Sequence, residues 1–450
     1  MMFGLGMQTD KSIFSHRIQL LLETISKQYP QIHDGCIVLP ASFENSRTLF
    51  RQDSNFYYFS GLTEPACVLL VDLDGTRTLM VPQYAGNRSQ WVVPELEEII
   101  EDPESYGIDL VEMLGTSIAG YQASPWMAES AYSGLCSTIH SYIKKNGTVF
   151  VIGPALANET SDSRIVLERL TCLIPELKNV LVDISPIVAS MRRTKDMPEI
   201  EKLYAAVELS VLAHESAAQA IVPAMFECEV QANIEYIFTA AGARASFPTI
   251  VASGDASTIL HYGASTKPLE VGDLVIVDCG ADMDYYCGDL SRTYPVSGTF
   301  SERQKEIYNL VLELQAHIVS IVKPGYWFSN QEQPDKSLNH IAKKFLHARG
   351  YEQYFVHGIG HFLGLDVHDV GDVRESFCEG DVITIEPGLY LPDEKIGVRI
   401  EDNYWITKNG AICLSEALPR KAEDIELLMK GQQNTDFDEE SDSSSDDYGR

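Results

Sequence analysis

Basic residues are scarce in this sequence. Its 450 residues include 34 lysines and arginines against 65 aspartates and glutamates, which gives a formal net charge of −31. Nucleic-acid binding needs a basic surface facing the phosphate backbone, so this balance argues against a nucleic-acid partner. Long hydrophobic runs are also missing, since none reaches the ~18 residues that a membrane-spanning helix needs. The sequence therefore predicts no association with nucleic acid or membrane.

Paired cysteine motifs are absent as well. The nine cysteines are scattered without CxxC or CxxxC spacing, and their number is odd. This usage is typical of reduced cysteines in a cytoplasmic protein rather than of a disulfide framework or a zinc site. Charged residues interrupt the apolar stretches of the first 25 residues, so no signal-peptide core is expected there. No GxSxG motif occurs, which argues against a serine hydrolase.

The patterns that are present divide the chain into three segments. Residues 1–188 mix helix-like segments with short β-prone runs, which predicts a small α/β domain. In residues 189–430, short β-prone runs alternate with helical segments such as 301–322 and 335–348, which predicts an α+β domain. Residues 431–450 are acidic and almost free of apolar side chains, so we expect a disordered tail.

Four carboxylates lie inside or directly beside the β-prone runs of the second domain: Asp278, Asp289, Glu386 and Glu401. A single carboxylate at the end of a strand is usually structural. Four that converged would repel one another and hold protons, whereas two divalent cations would balance their charge. An oxygen-rich set with one imidazole suits Mn(II), Co(II) or Zn(II). The pattern therefore predicts a dinuclear metal centre with its ions ~3.5–4 Å apart.

The candidate imidazole ligands lie in residues 357–369, which contain three histidines. His357 and His361 are four residues apart, the spacing that places two side chains on one face of a helix. The two glycines between them argue against a regular helix. A lone histidine in a folded protein is more often a hydrogen-bonded structural residue than a ligand. The pattern alone therefore leaves the roles of these histidines, including His368, open.

Beyond these single features, the sequence resembles a known family. From about residue 51 to residue 430 it is similar to the pita-bread metallopeptidases, in particular to aminopeptidase P and its relative prolidase. Six segments carry the similarity: 247–262, 272–281, 289–298, 357–369, 384–390 and 397–402. The resemblance implies a pita-bread catalytic domain of the α+β class. It also implies that a smaller α/β domain of the creatinase and aminopeptidase P amino-terminal type precedes it.

The resemblance implies a complete set of five metal ligands. Asp278 would chelate one ion, and Asp289 and Glu401 would bridge the pair. His361 and Glu386 would complete the shell of the second ion. Mn(II) is the favoured metal, with Co(II) and Zn(II) as alternatives. In the family, a metal-bridging water or hydroxide attacks the scissile carbonyl, and Glu386 matches the general base of that step.

The same resemblance assigns residues to catalysis and to the substrate pocket. His261, His357 and His368 match histidines that stabilise the developing oxyanion and pass a proton to the leaving nitrogen. His261 and His368 also match substrate-binding positions, as do Tyr390 and Arg399. Arg399 lies two residues before a predicted ligand in a strand-like run, so both side chains should share a face. An ordinary salt bridge for Arg399 and a core position for Tyr390 remain the alternatives.

The implied activity is removal of the N-terminal residue from peptides with proline in the second position, as in an Xaa-Pro aminopeptidase. Residues 51–65 look more like the amino-terminal domain of aminopeptidase P than that of prolidase. In that family this domain limits access to the pocket, often across an oligomer interface. We therefore expect a homo-oligomer, a dimer or tetramer, with Trp91 as a candidate wall residue.

Two alternatives to this activity stay open. An Xaa-Pro dipeptidase, that is, a prolidase, shares all five ligands and is the nearer one. A catalytically inactive, peptidase-like binding protein is remote: the acidic tail favours it, but the complete ligand set opposes it.

Overall fold

The computed structural model describes residues 11–153 and 162–431. The predicted acidic tail, apart from its first residue, lies outside the described residues. The amino-terminal half contains these elements in chain order: α1 (Ser12–Gln28), β1 (Gly35–Pro40), α2 (Ser54–Ser60), β2 (Val68–Asp72), β3 (Arg77–Val81), α3 (Leu96–Glu101), β4 (Leu110–Met113), α4 (Ser133–Lys144), β5 (Thr148–Val151), α5 (Asp162–Leu173), β6 (Leu181–Asp183) and α6 (Ser185–Arg193).

These strands form one mixed sheet in the order β4-β3-β2-β1-β5-β6. The β1-β2 and β2-β3 pairs are antiparallel, and the outer pairs are parallel. Helix α1 buries Ile18, Leu21 and Ile25, a three-and-four spacing that turns one apolar face towards the sheet. Helix α2 begins at a capped end, because the carboxylate of Asp53 accepts hydrogen bonds from the first-turn backbone N–H groups of Asn55 and Phe56.

A long helix starts the second half of the chain. It begins at a capping box in which the side chains of Asp196 and Glu199 each accept the other's backbone N–H. The second half contains α7 (Met197–Ala220), α8 (Glu227–Ala240), β7 (Arg244–Ala245), β8 (Ile250–Ser253), β9 (Leu274–Cys279), β10 (Ala281–Met283), β11 (Tyr286–Cys287), β12 (Leu290–Pro295), α9 (Glu302–Ile321), α10 (Leu338–His347), β13 (Val382–Ile385), β14 (Gly388–Leu391), β15 (Ile396–Arg399), β16 (Asp402–Thr407), β17 (Gly410–Cys413) and α11 (Ala422–Met429).

Small antiparallel sheets form the centre of this half, in the orders β8-β9-β12, β13-β16-β17, β14-β15 and β7-β10-β11. Isolated backbone bridges link Ser291 of β12 to Glu401, and Phe362 to Ile383 of β13. Helices α7, α8 and α9 contribute apolar side chains to one core with the sheets. Cys279 belongs to this core, as strand alternation beside Asp278 predicts.

Helices α9 and α10 occupy the two segments predicted at 301–322 and 335–348. Over the described residues, we find no helix that combines the length and the apolar character needed to cross a bilayer.

Candidate metal centre and catalytic site

Strand pairing brings three of the predicted carboxylates to one place. Asp278 of β9 lies opposite Ser291 of β12, and Ser291 in turn forms a backbone bridge with Glu401. Asp289 lies directly before β12, so it reaches the same junction. All three carboxylates are buried, at 8% exposure or less. A cluster of buried carboxylates needs compensating charge, so the register of these strands creates a candidate cation site.

A histidine completes the cluster. Ligand atoms of Asp289, His361 and Glu401 all lie within 4.8 Å of one another. His361 Nδ1 lies 3.0 Å from the carbonyl oxygen of Phe362, to which it donates. Nε2, the other ring nitrogen, therefore faces Asp289 Oδ2 at 3.2 Å and Glu386 Oε1 at 3.6 Å. Such a backbone contact on the far nitrogen is how proteins orient a metal-binding imidazole.

Asp278 supplies an independent test of whether the site fits a cation. Its Oδ2 accepts a hydrogen bond from Arg399 Nη2 at 2.6 Å. Its Oδ1 is buried and has no hydrogen-bond partner among the described residues. A buried carboxylate oxygen without a partner is costly, and a divalent cation would satisfy it. The donor set of carboxylates and one imidazole therefore fits the predicted metals.

Without cations, the site would hold protons instead. Burial is the largest effect, and it raises the pKa of Asp278 to about 6 against the opposing charge of Arg399. Burial, with the charge of Asp289, raises the pKa of Glu386 to about 7 despite His361. Burial and three neighbouring carboxylates raise the pKa of Glu401 well above its ordinary value. These directions agree with four carboxylates that repel one another when no metal balances them.

Burial and the neighbouring carboxylates shift the pKa of His361 in opposite directions. Burial disfavours its charged form, but the hydrogen bond and the charge of Asp289 outweigh that effect and raise its pKa to about 9. A metal ligand must give up this proton, so cations and protons compete at Nε2.

A second chain of contacts runs beside the metal centre. Arg399 Nη1 donates to Tyr390 Oη at 3.0 Å, and Tyr390 Oη lies 2.9 Å from His357 Nε2. His357 Nδ1 donates to the carbonyl oxygen of Gly358 at 2.7 Å, so Nε2 accepts the hydroxyl proton of Tyr390. Burial and the charge of Arg399 lower the pKa of His357 to about 4. His357 is therefore a neutral imidazole at neutral pH.

The centre opens into a cavity of about 1330 Å³ that is lined by both halves of the chain. The amino-terminal half contributes residues such as Ser54 and Asn55. His261, on the segment after β8, and His368, on the segment after His361, also line the cavity. The His368 ring meets that of His361 edge to face at a centroid distance of 4.3 Å. An elongated substrate thus has room on the side that faces the amino-terminal half.

The structure brings the sequence-predicted site residues together. Nine of them line the cavity: His261, Asp278, Asp289, His357, His361, His368, Glu386, Arg399 and Glu401. Tyr390 joins the group through its hydroxyl. The helix that the spacing of His357 and His361 allows does not form, because residues 357–361 follow an irregular path. Trp91 does not line the cavity; it is 68% exposed and stacks on Tyr121 with ring centroids 4.7 Å apart.

Sequence reasoning missed two supporting residues. Ser291 Oγ donates to Glu401 Oε2 at 2.9 Å and accepts from Arg399 Nε at 2.8 Å. Its position two residues after Asp289 in a strand-like run was a usable signal, since alternate residues share a face. Asn403 forms two hydrogen bonds with the backbone of Asp289. Its Nδ2 donates to the carbonyl oxygen at 2.6 Å, and its Oδ1 accepts from the N–H at 3.1 Å. No local pattern marks Asn403.

Carboxylates and an imidazole at a buried junction of strands, open to a large cavity, define a metallohydrolase. A model of metallopeptidase family M24 matches residues 201–408, and a model of the aminopeptidase P amino-terminal domain matches residues 14–116. Over 410 residues the sequence is 32% identical to an Xaa-Pro aminopeptidase of Haemophilus influenzae, covering 84% of this chain and 88% of that protein. The chain therefore belongs to metallopeptidase family M24.

Other relatives and solved structures agree. An Xaa-Pro dipeptidase of Pyrococcus furiosus is 40% identical over 238 residues, covering 52% of this chain and 66% of that protein. The structure of aminopeptidase P from Escherichia coli with the inhibitor Pro-Leu matches with a TM-score of 0.76 at 28% identity, covering 94% of this chain and 98% of that one. These findings confirm the predicted fold: a pita-bread domain preceded by an aminopeptidase P amino-terminal domain.

Proposed function

We propose that the protein is a metallo-aminopeptidase that removes the N-terminal residue from peptides with proline in the second position. The observation that carries this proposal is the convergence of five ligand-type side chains, Asp278, Asp289, His361, Glu386 and Glu401, at a cavity shared by both domains. A match to Xaa-Pro aminopeptidases over both domains supports the same activity. We place the boundary between the domains at residues 188/189, in the middle of helix α6.

We assign those five residues to two divalent cations, with Asp289 and Glu401 shared between them. Mn(II) is the proposed metal, with Co(II) and Zn(II) as alternatives, because the donors are oxygen-rich and include a single imidazole. When bound, such cations supply Lewis-acid activation of water and of the scissile carbonyl. The buried, unpartnered Oδ1 of Asp278 supports a cation at its end of the cluster.

Five side chains are assigned to proton transfer and substrate binding during the reaction. Glu386 is the proposed general base, because its carboxylate faces the cavity. Its Oε2 lies 3.8 Å from His357 Nδ1. His357, held neutral, and Tyr390 form a hydrogen-bonded pair, which we assign to the substrate side of the centre. We assign to His261 and His368 the binding of the substrate and the delivery of a proton to the leaving nitrogen.

Arg399 is proposed to act on the substrate side through the groups it holds. Its guanidinium contacts Asp278, Ser291 and Tyr390 at once. A salt bridge with Asp278 does exist, as the structural alternative anticipated, but the third contact ties Arg399 to the proposed substrate-binding Tyr390. We therefore assign Arg399 and Tyr390 to the substrate pocket as well as to the support of the metal centre.

We also propose a cytoplasmic location and a homo-oligomer, dimer or tetramer. All nine cysteines are free, as expected of a reducing compartment. The amino-terminal domain exposes the large apolar side chains of Leu49, Trp91, Val93 and Trp126, which would be covered in an oligomer. Light scattering coupled to size-exclusion chromatography tests this assembly, and a monomer at micromolar concentration would contradict it.

The activity is tested by mass-spectrometric analysis of products from an Arg-Pro-Pro tripeptide and a Gly-Pro dipeptide. Chelator-stripped protein should cleave neither, and added Mn(II) should restore release of arginine from the tripeptide. Little cleavage of the dipeptide is expected, because the 32% identity that extends over both domains is to an Xaa-Pro aminopeptidase. Preferred cleavage of Gly-Pro would favour an Xaa-Pro dipeptidase, which the 40% identity to such an enzyme over 238 residues keeps as the second candidate. No metal-dependent cleavage of either peptide would favour a peptidase-like binding protein.

A further inference from the structure

The loop that carries His368 has no regular secondary structure. We define it as the His368 loop, residues 364–371. Its backbone makes three described backbone hydrogen bonds: Gly364 N–H donates to Asp366 O at 3.1 Å, Asp369 N–H donates to Phe362 O at 3.0 Å, and Gly364 O accepts from Cys287 N–H at 2.9 Å. His368 itself is exposed to the cavity. A histidine that must contact a substrate from such a loop needs side-chain contacts to fix its position.

Two carboxylates flank the histidine and supply those contacts. Asp366 accepts from Ser54 Oγ at 2.7 Å and from Arg192 Nη2 at 2.8 Å. Asp369 accepts from the same Arg192 nitrogen at 2.6 Å and from Lys195 Nζ at 2.8 Å. The Arg192 guanidinium therefore holds the loop by hydrogen bonds on both sides of His368.

The groups that hold the two carboxylates come from outside the metal centre. Ser54 begins α2 of the amino-terminal domain, and Arg192 lies at the end of α6, which connects the domains. Arg192 Nη1 also donates to Asn55 Oδ1 at 2.7 Å, which ties the same guanidinium to α2. Arg51, also in the amino-terminal domain, donates to the backbone carbonyl of Leu365.

Burial strengthens one part of this arrangement, the Arg192–Asp369 pair, whereas the side chain of Asp366 is 42% exposed. The side chains of Arg192 and Asp369 are only 3% and 1% exposed. A buried guanidinium without its carboxylates would be strongly destabilising, so the loop cannot leave without a large cost. The amino-terminal domain and the connecting helix therefore determine where the His368 loop lies.

We propose that Ser54, Arg192, Asp366 and Asp369 are positioning residues that hold His368 at the substrate, so that the amino-terminal domain takes part in the chemistry as well as in enclosing the cavity. This inference rests on the proposed function, because it takes His368 as the group that acts on the peptide. A purely structural role would hold the two domains together without affecting catalysis. The proposed role differs, since its effect on catalysis must pass through His368.

The test is a double-substitution cycle of Asp366→Asn with His368→Ala, in Mn(II)-loaded protein with Arg-Pro-Pro as substrate. In the wild-type background, Asp366→Asn should lower kcat roughly 10–100-fold, the size expected when a catalytic group is misplaced by ~1 Å. In the His368→Ala background the same substitution should change kcat less than about twofold, because little positioning is left to lose. Equal losses in both backgrounds, or no loss in the wild type, would overturn the proposal.

Glu375→Gln is the matched control. Glu375 accepts from Arg193 Nη1 at 2.8 Å, so it pairs with the neighbouring arginine of the same helix, but it lies seven residues beyond His368 and outside the cavity. It should leave kcat and KM unchanged. Should Asp366→Asn fold poorly, Ser54→Ala removes one contact to the same carboxylate without stranding a buried charge. Its loss of kcat should be about threefold and should also vanish in the His368→Ala background.

Hydrogen exchange separates failure of this inference from failure of the proposed function. Amides of residues 364–371 should exchange faster in Asp366→Asn than in wild type or Glu375→Gln, whether or not any peptide is cleaved. Wild-type protein that cleaves no Xaa-Pro peptide would refute the function, and the exchange measurement would still decide whether these residues hold the loop. Unchanged exchange in Asp366→Asn would refute the positioning role even in an active enzyme.

Discussion

Tyr390 shows how a single hydroxyl connects two charged parts of the site. It accepts from Arg399, which also binds Asp278, and it donates to the neutral His357. The orientation of His357 thus depends on a residue that holds a predicted metal ligand. This is the arrangement expected of a supporting shell that couples ligand geometry to the group facing the substrate.

Tyr390→Phe removes the hydroxyl and retains the ring. We expect kcat/KM for Arg-Pro-Pro to fall roughly 10–100-fold, because Arg399 and His357 each lose a hydrogen-bond partner. Metal content should stay at the wild-type level, since Tyr390 is not among the predicted ligands. Steady-state kinetics together with metal analysis of the purified protein checks this outcome.

Tyr308→Phe is the control for this substitution. Tyr308 is also buried and donates to Arg420 O at 2.8 Å, away from the metal centre. It should cost stability but not kcat/KM. Similar kinetic losses in both variants would show that Tyr390 acts only through packing.

At the scale of secondary-structure elements, the position of Asp289 depends on the strand next to Glu401. Asp289 lies just before β12, where no ladder of its own strand holds its backbone. Asn403 of β16 clasps that backbone with two hydrogen bonds, as a second strand would. The contact between these two strand ends therefore sets the distance between the two proposed bridging carboxylates, Asp289 and Glu401.

Asn403→Ala should loosen this junction. It leaves a buried N–H and a buried carbonyl without partners, at about 1–3 kcal/mol each. We expect lower thermal stability and a metal affinity reduced roughly 10–100-fold, because a proposed bridging ligand loses its support. Titration of the stripped protein with Mn(II), followed by calorimetry, measures the affinity.

Gln304→Ala separates the two effects. Gln304 Nε2 also donates to a backbone carbonyl, that of Gly272 at 2.8 Å, but at the start of α9. This variant should lose stability while it binds Mn(II) like the wild type. An Asn403→Ala protein with unchanged metal affinity would contradict the proposal that Asn403 supports the ligand Asp289.

At the scale of the whole molecule, metal, protons and folding are linked. Folded pKa values of about 7 for Glu386 and about 9 for His361 lie above the values of 4.5 and 6.5 for the free side chains. The folded, metal-free protein thus binds more protons than the unfolded chain. Such groups stabilise the fold below their unfolded pKa, and that stability is lost as pH rises through the folded pKa. His357 and His214, with pKa values lowered to about 4 and about 3, act in the opposite sense, but only below about pH 6.5.

The thermal midpoint of the chelator-stripped protein should therefore fall as pH rises from 6.5 to 9. With saturating Mn(II) the decline should be smaller, because cations replace the protons at the carboxylates and at His361. Scanning calorimetry at several pH values, with and without metal, measures the difference between the two curves. A difference that stays constant or shrinks with rising pH would contradict the assignment of these residues to a metal centre.

The sequence alone determined the fold class and the predicted site residues. Asp278 and Glu386 adjoin strand-like apolar runs, where a charged side chain needs a partner. This pattern lies within a few residues of the chain, so it can be recognised without knowledge of the fold. The resemblance of the same segments to a known family supplied the roles. The capping box at the start of α7 is equally local, because Asp196 and Glu199 lie within four residues of chain.

Only the tertiary structure decided how these residues are held. Asn403 hydrogen-bonds to the backbone of Asp289, 114 residues away, and Arg192 hydrogen-bonds to Asp366, 174 residues away. Periodicity and spacing report on neighbours along the chain, whereas these contacts depend on which strands pair and how two domains meet.

The two glycines between His357 and His361 argue against a helix, but only the structure shows the path taken instead. Thr384 N–H donates to His361 O, and Glu386 N–H donates to Ile359 O, so this segment pairs with β13. Long-range pairing, and not local preference, is the physical reason that the support of the site could not be predicted.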